Sequence, residues 1–154
     1  MRAKLISTTL LAWLSTCGLL WGLTEFSAQG AEMKLEVQLL WGTNEDKSPD
    51  PKHKEVEPAV KDKLDKLPLK WNKYYLVNSQ PFSLKKGEAK KVSLSEKCAI
   101  EVKNLDDLSV EVSLFGKREE VMKRVQALPK KEILVLGGNA PNKTSWLVVL
   151  KRVQ

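Results

Sequence analysis

The sequence predicts a β-rich α+β fold: an antiparallel β-sandwich or partly closed barrel with one packed helix. Three observations carry this expectation. From Met33 onward, most segments alternate apolar and polar residues, the period of half-buried strands. Turn-forming clusters separate these segments at intervals of about 8–12 residues. One segment alone, near residues 57–67, reads convincingly as a helix, with Val56, Val60, Leu64 and Leu67 at helical spacing.

The first strand is "MKLEVQLLW". Met33, Leu35, Val37, Leu39 and Trp41 share one face, and Lys34, Glu36 and Gln38 the other. A loop rich in Gly, Asn, Asp and Pro follows, "GTNEDKSPDPKHK". It holds the only histidine, His53, between Lys52 and Lys54. Nothing adjacent in sequence fixes its tautomer, so it reads as a poor base and a poor metal ligand. Asp46 and Asp50 lack the glycine and terminal glutamate of a calcium loop. In the helix that follows, Pro58 suits the first turn and Pro68 marks the stop. Lys61, Asp62, Lys63, Asp65 and Lys66 form a solvated face of mixed sign, so the apolar stripe is expected to pack on a sheet.

Strands fill the remainder. "KWNKYYLVNSQ" is aromatic and β-prone, and "PFSLKKGEAKKVSLS" reads as two short strands about a Gly87 turn. "CAIEVKN" and "LSVEVSLFG" alternate well, with Asp106 and Asp107 in the turn between them. "EEVMKRVQAL", residues 119–128, fits both periods; short connections to its neighbours favour a strand. Trp41, Trp71, Tyr74, Tyr75 and Trp146 are read as core, with a ligand-binding aromatic patch as the alternative.

"EILVLGGNAPNKTSW", Glu132 to Trp146, misses the phosphate-binding pattern G-x-x-x-x-G-K-[ST] by one residue, Asn142 in place of glycine. Pro141 lacks the N–H such a loop would aim at phosphate, and the apolar run after Thr144 is strand-forming rather than helical. The expectation is a hairpin, with Leu134 and Leu136 facing Trp146, Val148 and Leu150. Asn142-Lys143-Thr144 also matches a glycosylation acceptor, relevant only in a eukaryotic host.

Residues 1–31 read as a secretory signal peptide, leaving 32–154 as a single domain. Arg2 and Lys4 precede an apolar stretch, Leu5 to Leu23, and Ser27, Ala28, Gly30 and Ala31 supply a small-residue exit. An uncleaved anchor and a lipidated Cys17 are the competing readings. The expected location is the periplasm or the cell exterior, without stable membrane insertion once the leader is cleaved. The chain carries a net charge of +7; without Arg2, Lys4 and Glu25 the balance becomes +6. Its lysines are scattered and rarely interleave with aromatics, which argues against a nucleic-acid face. Beyond the leader, Cys98 is the only cysteine, so no intrachain disulfide is available. Alternation with Ile100 and Val102 points Cys98 into the core. No constellation marks a catalytic, cofactor-binding or metal site, so no enzyme, cofactor or metal is expected.

A helix bearing Leu64 and Leu67 runs into "WNKYYLVNSQ", short amphipathic strands follow, and the chain closes with "LVLGG", a loop and an apolar strand. In these features residues 33–152 resemble a loose group of small exported bacterial proteins of unknown function. The resemblance implies an exported β-rich domain and carries over no catalytic residues. The functional expectation is an exported, non-enzymatic module binding a protein or cell-envelope partner. The alternative is a periplasmic ligand-binding or hydrolytic protein whose site is assembled from sequence-distant residues.

Overall fold

The computed structural model describes residues 31–140 and 143–154, so residues 1–30 of the expected leader lie outside it, as do Pro141 and Asn142. In chain order the elements are β1 (Met33–Thr43), β2 (Lys54–Glu55), helix α1 (Pro58–Leu64), β3 (Lys73–Leu84), β4 (Ala89–Ser95), β5 (Cys98–Asn104), β6 (Ser109–Gly116), β7 (Glu119–Ala127), β8 (Ile133–Asn139) and β9 (Ser145–Arg152). They form a five-stranded sheet, β2-β3-β1-β9-β8, and a four-stranded sheet, β4-β5-β6-β7. All pairings are antiparallel. The sheets pack face to face as a sandwich, and there is no closed barrel.

Strict alternation builds the layers. Leu35, Val37, Phe82, Leu84 and Leu150 face inward from the larger sheet, against Val92, Ile100, Val102, Val110 and Val112 from the smaller. β1 is central, paired with β3 on one edge and β9 on the other, and the helix side covers the sheet's second face. There Leu40, Leu147 and Val149 meet Val56, Val60 and Leu64 at the helix. The result is three layers, helix on sheet on sheet, with two apolar cores. A buried Leu64 with no exposed surface contributes about 2 kcal/mol from area alone.

Polar contacts fix the layers' alignment. Glu36 accepts hydrogen bonds from Gln38 and Ser79, and its carboxylate lies 3.0 Å from Lys151, which also reaches Glu57 at the start of α1. At one end of the sandwich the buried Arg152 guanidinium donates to the carbonyls of Asp107 and Leu128, and its Nε to the Gln154 carbonyl. The Arg152 charge thereby closes that end with backbone acceptors in place of a carboxylate.

Three local expectations change. α1 ends at Leu64, earlier than the Pro68 stop, and Leu67 is 39% exposed outside it. The 65–68 stretch turns before proline enforces a stop, and Leu64 is the last buried residue of the helix. β3 runs unbroken through Pro81, where two shorter strands were expected. Pro81 pairs with Glu36, and β2 reaches only Tyr75 and Leu76, so β3 has an open edge there that tolerates a missing N–H. The loop before α1 contains β2, whose two residues give no periodicity to read. Residues 119–128 are, as expected, extended: β7 spans all but the last of them.

Candidate functional site: an apolar mouth between the sheets

At the end opposite Arg152 the two sheets diverge and leave a cavity of about 710 Å³. Leu39, Val77 and Val148 wall it from the larger sheet; Cys98, Leu114 and Met122 wall it from the smaller. These six residues come from six different strands and lie up to about a hundred positions apart, so no sequence motif announces them.

The opening has a local cause. Three of the ladders slip register, and all three slips border this end. In β3, Leu39 pairs with Asn78 and Leu40 with Leu76, so Val77 is an extra residue that turns toward the cavity. In β4, Leu94 is extra between Ser93 and Ser95. In β7, Val121 is extra between Glu120 and Met122. A bulge raises local twist and bends its strand, and three together splay the sheet ends apart.

The double glycine of β8 completes the mouth, its two residues for opposite reasons. A Cβ on Gly137 would stand 2.5 Å from the Trp146 carbonyl oxygen, so this position admits glycine alone. A Cβ on Gly138 would meet nothing within 4 Å. Gly138 alternates with Leu134 and Leu136 and so faces the inter-sheet space, which it leaves empty. Opposite it, Trp146 lines the mouth and is 47% exposed. Val121 at the facing edge is 62% exposed.

Polar groups gather at the rim, in two hairpin turns. Glu96 and Lys97 join β4 to β5, and Lys117 and Arg118 join β6 to β7. The Lys117 N–H donates to the Lys97 carbonyl at 3.0 Å, binding the turns together. Lys117 and Arg118 have φ of 49° and 76°. Two positive φ values in a two-residue loop mark a type I′ turn, which Asn-Gly fills at least cost.

A thiol and a carboxylate, Cys98 and Glu96, are among the groups that line the mouth. Burial pushes the Cys98 thiol above its ordinary value, which keeps it protonated at neutral pH. The thiol points toward the core as expected, but only partly buried, because it borders the cavity. Glu96 is the single carboxylate lining the mouth. Among the described residues no three His, Cys, Asp or Glu side chains gather as a metal-holding group.

His53 departs from expectation. Its ring is held by Ser48, whose hydroxyl lies 2.7 Å from Nδ1; Nε2 lies 4.0 Å from Asp50, and the ring stands 6.4 Å from Trp41. Sequence neighbours gave no sign of this because the loop folds back on itself. Asp50 at that distance makes no hydrogen bond, and its other oxygen accepts from the Lys52 N–H. The three side chains close the loop and line neither this mouth nor the cavity of about 650 Å³ beside Arg152.

The aromatic residues divide. Trp41, Tyr74 and Tyr75 are core, as expected. Trp71 is half-buried beside the helix and donates its indole N–H to the Lys143 carbonyl. Trp146 breaks the pattern: it was read as core, but it lines the mouth and is half exposed. The near-miss phosphate loop is a hairpin, with Leu134 opposite Leu150, Leu136 opposite Val148 and strand resuming at Ser145. Comparisons with protein-family models, with curated proteins and with solved structures each found no match.

Proposed function

We propose that the protein is an exported, non-enzymatic binding module, and that a cell-envelope partner inserts an apolar group into the mouth between its sheets. The observation that carries this reading is the cavity itself: about 710 Å³, walled by apolar side chains and left open beside Gly138 and Trp146. That volume falls within the roughly 300–1,000 Å³ of small-molecule sites. The exported setting rests on the leader's charged, apolar and small-residue layout and on the resemblance to small exported bacterial proteins. The site belongs to the kind assembled from sequence-distant residues. A hydrolytic role finds less support, since Ser48 and His53 lie away from the mouth and Asp50 does not hold the ring.

The test is titration of the full chain with a neutral naphthylamine dye, followed by dye fluorescence and by the part of the tryptophan emission that Trp146→Phe removes. Saturable binding near one dye per chain, lost in Gly138→Leu, is expected. Binding that never saturates, or that survives Gly138→Leu unchanged, would sink the proposal.

A further inference from the structure

Resting on that reading of the mouth, we infer that its ligand is a single alkyl chain ending in an anion, of the fatty-acid or alkyl-phosphate type. The walls set the body of the ligand. Leu39, Val77, Leu114, Met122 and Val148 offer no hydrogen-bonding side chain along the depth of the cavity. A peptide inserted there would bury backbone N–H and C=O groups without partners, at a cost of roughly 1–3 kcal/mol each. An alkyl chain has none to bury.

The rim sets the head. Among the described residues, the charged side chains that line the opening lie in the two turns, Lys97 and Lys117 against one acid, Glu96; Ser95 at the end of β4 adds a hydroxyl beside them. Arg118 follows Lys117 in the same turn; it stands beside the opening without lining it, as do Glu119 and Glu120, which come next on β7. Among the described residues, Lys97, Lys117 and Arg118 make no ion pair. The backbone adds an independent sign. Lys117 and Arg118 occupy left-handed angles that disfavour side chains. Two cations therefore stand where Asn-Gly would fold more readily, a local cost at the lip of the one apolar cavity described between the sheets. An anion at the rim satisfies those cations while its chain fills the mouth.

The experiment compares dodecanoate, dodecyl phosphate, dodecanol and dodecyltrimethylammonium below their micelle concentrations, by calorimetry on the full chain. Both anions are expected to bind roughly tenfold tighter than dodecanol at low salt, with the cationic amphiphile weakest. The preference should shrink as salt rises. The order of the two anions assigns carboxylate or phosphate as the head. The double variant Lys117→Asn, Arg118→Gly suits the turn and keeps the fold; it should bind dodecanol as before and lose most of the anion preference. Equal affinity for dodecanoate and dodecanol overturns the head-group inference and leaves the apolar mouth standing. No binding by any of the four overturns both.

Discussion

Gly138 pairs with Trp146 across the β8–β9 ladder, and one partner has no side chain while the other's indole is half exposed. Elsewhere on this face the same ladder matches leucine with leucine or valine. The missing volume at Gly138 adds to the opening that the three bulges make at this end of the sandwich.

The adjacent glycines should respond in opposite directions. Gly137→Ala places a methyl 2.5 Å from a backbone carbonyl, and chemical denaturation should show a loss of about 3 kcal/mol. Gly138→Leu enters open space and removes a strand glycine, so stability should stay within about 1 kcal/mol of the parent or rise. Equal destabilisation by the two would contradict the open mouth.

The turn at Lys117 and Arg118 should be improvable. Lys117→Asn with Arg118→Gly relieves two positive-φ side chains and should raise unfolding free energy by about 1 kcal/mol. A shift of the urea midpoint upward, with unchanged slope, is the expected reading. A lower midpoint would mean that the two side chains support the fold.

Cys98 offers a direct report on the cavity. Its thiol is held above the ordinary value of 9.0 by burial, so less thiolate is present at neutral pH than at an exposed cysteine. In a Cys17→Ser protein, disulfide-reagent labelling should be slow near pH 7 and accelerate as pH climbs past that value. Saturating dodecanol should slow it further. Fast labelling at pH 7, indifferent to the alcohol, would place the thiol outside the mouth.

Glu36 and Lys151 give the pH dependence of the sheet–helix contact. Burial pushes the Glu36 carboxyl up, but hydrogen bonds from Ser79, Gln38 and Lys151 outweigh it and leave it below its ordinary 4.5. Burial pushes Lys151 down, but Glu36 and Glu57 outweigh it and leave it above 10.5. A lowered acid stabilises above its unfolded value and loses that contribution as pH falls through the folded one. A raised base stabilises below its unfolded value and loses it as pH rises through the folded one. The pair should therefore contribute a flat plateau at neutral pH, with losses below about 4.5 and above about 10.5. Glu36→Gln should cost about 1–2 kcal/mol at pH 7 and flatten the acid limb of a thermal-melt profile.

Much of the architecture was legible because it rests on alternation. Leu35, Val37, Ile100, Val102 and Val112 fall on the inner face where period two puts them. Asp106 accepts the N–H groups of Leu108 and Ser109, the turn its sequence suggested. The mouth was not legible, because it is made by departures from alternation. Val77, Leu94 and Val121 are supernumerary in their ladders, and an extra residue shows only against a partner strand. Trp146 has the sequence signature of a core residue; its exposure shows only beside Gly138, which puts no side chain against it. The single visible clue was "KR" between two strands, in a position where a hairpin ordinarily takes Asn-Gly.

The central place of β1 governs how the molecule comes together. Leu39 is joined on one side to Asn78 and on the other to Val148, a partner more than a hundred residues away. Until β9 arrives, that side of β1 is an unpaired edge flanked by Leu35, Val37 and Leu39, the kind of surface on which chains aggregate. Long-range closure of this sort is slow relative to forming the local hairpins of the smaller sheet. The order of assembly that follows is β4 to β7 first and the larger sheet last. The wall contributed by Val148 and Trp146 is then the final surface to be laid, so the mouth takes shape only when the larger sheet closes.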